Sequence, residues 1–131
     1  MNEKSDIKVK PLRADISKAC FDLAVEIPPL MQHWPKTSRM GLGRRLEEQV
    51  FYLLEGAVRI SNPVLANHTK RAETESMSTA CDVVLIYLRL ARTLKILSAN
   101  HYTRLAESVT VIGKQVGGLR KYFDKKTRSP I

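Results

Sequence analysis

The longest apolar run in the chain, Met77 to Leu97, constrains the fold more than any other stretch. Its apolar residues fall on two neighbouring helical stripes, and it contains neither glycine nor proline. Together the two stripes form an apolar face that is wider than a two-stranded coiled coil needs. The pattern therefore predicts a helix against which several others pack. Three cations in its second half would each need a partner inside lipid, which argues against a membrane span. We interpret this run as the central helix of a soluble bundle.

The overall composition agrees with a single helical domain. A length of 131 residues suits one domain, and a hydrophobic fraction of 44% can form a core without disulfides. Six glycines and six prolines, with no strand-like alternation between turns, argue against an all-β fold. The sequence therefore predicts an all-α, antiparallel four-helix bundle with short connections.

Three segments are expected along the chain. They are a flexible N-terminal segment at residues 1–13, the four-helix bundle at residues 14–123 and a basic C-terminal tail at residues 124–131. The fourth helix is predicted over residues 99–123, with Ser98 as its N-cap.

The first two helices are bounded by proline. We expect Asp15 to cap the first helix, which then meets the pair Pro28-Pro29. Prolines remove backbone donors, so we predict a kinked helix to about His33, with a break at Ile27 as the alternative. The second helix is predicted over residues 42–62.

Other local features give further expectations. Residues 34–41 are read as a connection, and Glu73 and Glu75 are placed in the first turn of the third helix, where acids suit the helix dipole. Glycines in a helix cost about 1 kcal/mol each relative to alanine. The predicted fourth helix contains three glycines close together, Gly113, Gly117 and Gly118. They indicate the close approach of another helix or chain, and a local weakness of the helix is the alternative.

The charge of the chain is strongly positive. Its 22 lysines and arginines exceed its 13 acids, which gives a net charge of +9. Such an excess predicts an anionic partner or an acidic protein surface, and it says nothing about the fold. Over half of the excess lies in residues 99–131, which carry seven cations and two anions.

The cations form three clusters, which we take as the candidate binding residues for nucleic acid or another anionic partner. Phosphate contacts need positive charge, and their affinity falls steeply with salt. An ordinary solvated charged surface is the alternative. The candidates are Lys36, Arg39, Arg44 and Arg45 around the start of helix two, Arg89, Arg92 and Lys95 on the central helix, and Lys114, Arg120 and Lys121 in helix four.

No constellation of catalytic or metal-binding residues is visible in the sequence. The histidines, His33, His68 and His101, have no second ligand at metal-binding spacing, and no Glu-x-x-His occurs. A phosphate-binding glycine loop is also missing, because the sequence around Gly41 has no P-loop lysine. We therefore predict a protein that is not an enzyme and that uses no metal or cofactor.

The two cysteines and the N-terminus bear on the cellular location. Cys20 and Cys81 lie in apolar helical surroundings, so we expect buried free thiols rather than a disulfide. The first residues contain no apolar core and cannot form a secretory signal. We predict a cytoplasmic protein without membrane association.

Four short motifs resemble a known family. The order and spacing of these motifs, which span about residues 27–123, are similar to those of the accessory variability determinant (Avd) proteins of diversity-generating retroelements. Bundles encoded within ribosomal RNA intervening sequences are related to that family. The motifs are Trp34-Pro35-Lys36 with Arg39 and Leu42-Gly43-x-Arg45, Leu88-Arg89-Leu90-Ala91-Arg92, Leu97-Ser98-x-x-x-Tyr102, and Ile112-Gly113-Lys114-x-x-Gly117-Gly118.

The resemblance implies a specific role. Avd proteins are pentameric, tapered barrels with a central pore, and they bind a reverse transcriptase and its template RNA. They support error-prone cDNA synthesis for mutagenic retrohoming without being the polymerase. The resemblance therefore implies a homo-oligomer, expected to be a pentamer, that binds reverse transcriptase and RNA, with DNA as a further candidate.

The resemblance also implies roles for particular residues. Arg89 and Arg92 match basic residues of the family's third helix, and Lys36, Arg39 and Arg45 match its basic loop and the start of its second helix. The alternative function is a protein-interaction bundle of the intervening-sequence type, or a small-ligand bundle, without a nucleic-acid role.

Overall fold

The computed structural model describes residues 15–128, and this part of the chain is all-α, without a β-strand. The all-α prediction is confirmed. The expected flexible segment at residues 1–13 and the last three residues of the expected tail, 129–131, lie outside the described residues. The side chain of Asp15, which we expect to be the first cap, also lies outside them.

Four long helices make up the described chain. They are α1 (Asp15–Met31), α2 (Arg44–Ile60), α3 (Asn67–Thr93) and α4 (Ala99–Thr127). Each helix packs against the next one in the chain, and α4 also packs against α1. The four helices therefore surround one core.

The core is built from the apolar stripes that the sequence shows. On α3 the first stripe is buried throughout, as predicted: Met77, Cys81, Val84, Leu88 and Ala91. The second stripe is only partly buried, because Leu90 is 42% exposed and Leu94 is 56% exposed. The broad apolar face is therefore covered along its first stripe and exposed at the C-terminal end of its second stripe, where two leucines remain uncovered.

The first connection differs from the prediction. The proline pair does not break α1 at Ile27, and the helix continues to Met31, two residues short of His33. Of the expected connection, residues 36–41 are helical and only residues 34–35 are not, since a short turn (Lys36–Ser38) and a π-helical segment (Arg39–Gly43) run directly into α2. The Arg39 N–H donates to the carbonyl of Pro35 at 2.8 Å, so this helical stretch begins immediately after the proline.

The bounds of α3 also differ from the prediction. The helix begins at Asn67, so Glu73 and Glu75 lie beyond its first turn and do not act on its dipole there. It ends at Thr93 rather than Leu97, because Lys95 adopts a left-handed conformation with φ of 64°. The N–H groups of Lys95 and Ile96 then donate to the carbonyls of Arg92 and Ala91, which satisfies the last turn.

The start of α4 is confirmed, and its end is later than expected. The Ser98 hydroxyl accepts a hydrogen bond from the His101 N–H at 3.1 Å, as an N-cap does. The helix continues past Phe123 to Thr127, so the first four residues of the expected tail are helical. Asp124 contributes to this extension because its carboxylate pairs with Arg71 of α3.

Close helix contacts lie at glycines other than the predicted ones. A Cβ at Gly56 would lie 2.8 Å from Met77 Sδ, and a Cβ at Gly43 would lie 2.7 Å from Met31 Cε. The three glycines of α4 have no atom of the described chain within 4 Å of their Cβ positions. The expected close approach of another helix to α4 is therefore wrong within the described chain, while a second chain is not tested.

Candidate nucleic-acid interface

The cluster at the start of α2 is largely free of internal partners. Lys36, Arg44 and Arg45 are exposed, and Arg39 is half-buried and donates to the Trp34 carbonyl at 3.3 Å. None of the four has a carboxylate within ion-pair distance among residues 15–128. Their charge is therefore available to a partner. Arg39 in addition links the helical stretch to Trp34, which precedes it, through this hydrogen bond.

The π-helical segment sets the direction of this cluster. It carries Arg39 and ends directly before Arg44, and its Gly43 lies against Met31 at the end of α1. Single π-helical turns inside α-helices are frequent at functional sites, because the extra residue redirects the side chains around it. The sequence contained no signal for this turn.

The second cluster lies at the end of α3. Arg89, Arg92 and Lys95 are all exposed, and none has a carboxylate partner in the part of the chain that the structure describes. Lys95 occupies the position where helices usually end on glycine. A side chain in this conformation costs about 1–2 kcal/mol, so the lysine is held here against a local penalty. Such strain is concentrated at functional sites.

Replacing Lys95 with glycine tests two properties of this residue, its strained backbone conformation and its positive charge, by two different measurements. We expect Lys95→Gly to raise the free energy of unfolding by about 1 kcal/mol, because glycine adopts the left-handed conformation without a Cβ clash. The same variant should bind polyanions more weakly, because one cation is lost. Urea unfolding followed by circular dichroism measures the first effect, and an RNA titration measures the second. Lys95→Asn is the matched control, since asparagine also tolerates this conformation. A less stable glycine variant would contradict the assignment.

The third cluster is partly neutralised. Lys114 and Lys121 are exposed without a described partner, whereas Arg120 Nη1 lies 4.0 Å from Glu75 Oε2. The same Glu75 carboxylate pairs with Arg71 at 3.2 Å. Sequence reasoning missed this neutralisation because Glu75 lies 45 residues before Arg120 in the chain and on a different helix.

Further ion pairs lie near this cluster. Arg59 pairs with Glu73 at 2.8 Å, and Arg71 pairs with Asp124 at 2.8 Å. The hydrogen bond to Glu73 raises the pKa of Arg59, and the hydrogen bond to Asp124 raises the pKa of Arg71. Both arginines therefore serve the contacts between helices, and this region is less free to bind an anion than the other two clusters.

Aromatic side chains accompany some of the lysines. Tyr122 is 52% exposed, and Lys126 Nζ lies 5.4 Å from the centroid of its ring. Lys70 Nζ lies 5.7 Å from the Phe123 ring. The exposed ring of Tyr122 is a surface on which a base could stack.

Possible metal ligands and thiols were the remaining chemical groups to place. No group of three histidine, cysteine or acidic side chains stands close enough to hold a metal between residues 15 and 128. Cys20 and Cys81 are buried free thiols, as predicted. Burial raises the pKa of Cys20 to about 12 and that of Cys81 to about 11, so both remain protonated and weakly nucleophilic near neutral pH.

Comparison with known proteins adds no relative. No family model, curated protein or solved structure matches this chain. None of the helices between residues 15 and 128 has both the length and the apolar character needed to cross a bilayer. The function is therefore inferred from the chemistry of the clusters and from the resemblance of the motifs.

Proposed function

We propose that this protein is a non-catalytic, nucleic-acid-binding scaffold that works as an accessory protein of a diversity-generating retroelement. In this role it binds template RNA and the reverse transcriptase through basic surfaces and supports mutagenic cDNA synthesis in the cytoplasm. The observation that carries the proposal is the pair of largely exposed cation clusters at the start of α2 and the end of α3, none of whose members has a carboxylate partner among residues 15–128.

The proposal includes an antiparallel arrangement of the four helices. The end of α2 contacts the start of α3 through Arg59 and Glu73. The start of α3 contacts the end of α4 through Arg71 and Asp124. Near the other ends, Arg104 of α4 lies 3.8 Å from Glu26 of α1. Contacts that join the end of one helix to the start of its neighbour support an up-and-down bundle.

This arrangement unites the two free clusters. If α2 and α3 run in opposite directions, the start of α2 lies at the same end as the end of α3. Seven of the ten candidate residues then share one end of the bundle, and phosphates of one RNA can span them. These residues are Lys36, Arg39, Arg44, Arg45, Arg89, Arg92 and Lys95.

Assembly into a ring is part of the proposed function. The motif resemblance implies a pentamer, and a ring repeats the cationic end several times around one particle. Repeated sites raise the overall affinity for a long polymer, because the second contact becomes intramolecular. This would let sites that are individually weak hold a template RNA.

The second candidate function is a protein-interaction bundle without a nucleic-acid role. The observation in its favour is the number of large apolar side chains left uncovered, among them Phe51, Val58, Ile86 and Leu94. Exposed apolar groups that lie close together indicate a protein contact. This candidate predicts assembly or partner binding without affinity for RNA.

Titration of a fluorescent RNA hairpin with the full chain distinguishes the two candidates. We expect binding at about 50 mM salt that weakens by about tenfold or more at about 200 mM, because bound phosphates release counterions. Duplex DNA of equal length as a competitor tests the preference for RNA. No binding at low salt, or binding that salt leaves unchanged, contradicts the electrostatic mechanism.

A further inference from the structure

A half-open cleft lies among the end of α2, the first turns of α3 and the last turns of α4. Its volume is about 530 Å³, which is within the range of small-molecule sites. Ile60 and Phe123, which are 5% and 6% exposed, line it together with the half-buried Leu119 and the exposed Pro63. None of the candidate RNA-binding residues is part of this lining. The cleft is therefore a separate and mostly apolar surface.

Lys70 is the one charged side chain among the described residues that line the cleft. It is half-buried, and no carboxylate of the described chain lies within ion-pair distance of it. Acids on the same helix ends are engaged elsewhere, since Glu73 pairs with Arg59 and Asp124 with Arg71, each at 2.8 Å. An ammonium group that is partly withdrawn from water is stabilised by a nearby anion. The described chain does not supply that anion.

Two aromatic residues form one side of the cleft. The rings of Tyr122 and Phe123 meet edge to face, with their centroids 5.3 Å apart and an angle of 71° between their planes. Lys70 Nζ lies 5.7 Å from the centroid of the Phe123 ring, so the positive charge is held beside the aromatic side. More than half of Tyr122 is exposed. A flat apolar body can pack against such rings while its acidic group reaches the ammonium group.

We propose that this cleft binds a small aromatic carboxylate. The apolar and aromatic lining matches the body of such a ligand, and the single ammonium group matches its single negative charge. The Ser61 hydroxyl, which also lines the cleft, donates to the Ala57 carbonyl at 2.8 Å, so its proton is not free for the ligand. One cation with few further donors suits a carboxylate better than a phosphate, which carries more charge and more acceptor oxygens.

Titration of the isotope-labelled full chain with naphthoate, followed by NMR, tests the site. We expect the amide signals of Ser61, Lys70 and Tyr122 to shift along one binding curve. Naphthalenemethanol, in which an alcohol replaces the carboxylate, should bind about tenfold more weakly, because it lacks the charge that pairs with the lysine. Shifts confined to Leu90 and Leu94, where apolar side chains are also exposed, would place the ligand elsewhere and overturn the proposal. Naphthoate that shifts no signal at millimolar concentration would overturn it as well.

Two variants of Lys70 separate the charge from the apolar stem. Lys70→Met removes the ammonium group and keeps a flexible apolar side chain, so naphthoate affinity should fall about tenfold while the affinity for the alcohol stays unchanged. Lys70→Arg keeps a cation that can bond a carboxylate, so most of the affinity should remain. Equal naphthoate binding by Lys70→Met and wild type, or an arginine variant as weak as the methionine variant, contradicts the assigned role of the charge.

Two further variants show whether the effect belongs to the cleft. Lys125→Met is the matched control, because this α4 lysine is exposed, has no described carboxylate partner and does not line the cleft. It should bind naphthoate as wild type does, and an equal loss in both lysine variants would attribute binding to net charge. Leu119→Trp fills the cleft with a larger ring and should abolish binding with helicity retained by circular dichroism. A filled cleft that still binds naphthoate would rule out this site.

Competition with adenosine monophosphate tests the rival occupant, a nucleotide. We expect no displacement of naphthoate at equal concentration, whereas displacement would assign the cleft to a nucleotide and overturn the carboxylate proposal. The result is independent of the proposed function, because Lys70→Met keeps every candidate RNA-binding residue and should bind the RNA hairpin as wild type does. Loss of RNA binding in this variant would show that the cleft serves RNA and would likewise overturn the proposal.

Discussion

Replacing Lys36, Arg44 and Arg45 with glutamine is expected to weaken binding of an RNA hairpin by at least about tenfold at low salt. The three side chains are exposed at the start of α2 and have no described carboxylate partner. Each phosphate contact that is lost should reduce the slope of log affinity against log salt by about one. Fluorescence anisotropy over a salt series measures both the affinity and the slope. Arg39 is left unchanged because it also bonds to the Trp34 carbonyl.

A matched variant in the C-terminal part of α4 makes this prediction specific. Lys121→Gln, Lys125→Gln and Lys126→Gln remove the same charge from α4, where Arg120 and Arg128 already have acidic neighbours. If net charge alone governs binding, the two triple variants lose equal affinity. A larger loss for the α2 variant supports the proposed surface, and a larger loss for the α4 variant would place the RNA near Tyr122 instead.

Replacing Gly56 with alanine is expected to lower the free energy of unfolding by about 1–3 kcal/mol. The added methyl group would lie 2.8 Å from Met77 Sδ and 3.1 Å from Glu73 Oε2. Met77 is fully buried, and Glu73 is held by Arg59, so neither can move away freely. This cost exceeds the gain in helix propensity of about 1 kcal/mol that alanine brings.

The same substitution at Gly118 should have the opposite sign. No atom of the described chain lies within 4 Å of a Cβ there, so alanine gains propensity of up to about 1 kcal/mol without a clash. Urea unfolding of both variants, measured at one protein concentration so that assembly is comparable, gives the two values. A Gly56→Ala protein that is more stable than wild type would show that α2 and α3 are not held together at this glycine.

Much of the fold followed from periodicity, and the errors have local causes. The stripe through Met77, Val84 and Leu88 identified α3 because burial requires apolar residues at helical spacing. The end of α3 was misplaced because the stop is made by Lys95, and lysine gives no glycine-like signal. The helical stretch over residues 36–41 was missed because Pro35 and Gly41 suggest a connection in sequence, whereas the short turn and the π-helical segment run on into α2.

The candidate site was predictable in part. Which residues are cationic is read directly from the sequence, and the exposure of Arg44, Arg89 and Arg92 agrees with a binding role that stays a prediction. Which cations are already paired cannot be read locally, because Glu75 and Asp124 come from distant parts of the chain.

The two tight contacts of α2 have a chemical consequence. In both, a methionine thioether fills the space left by a glycine: Met31 at Gly43 and Met77 at Gly56. Oxidation to the sulfoxide adds a polar oxygen at the sulfur, for which neither contact has room. Oxidation of both sulfurs would push apart the contacts that this part of the chain makes with Met31 of α1 and Met77 of α3, so it would disturb the helix that carries proposed RNA-binding residues.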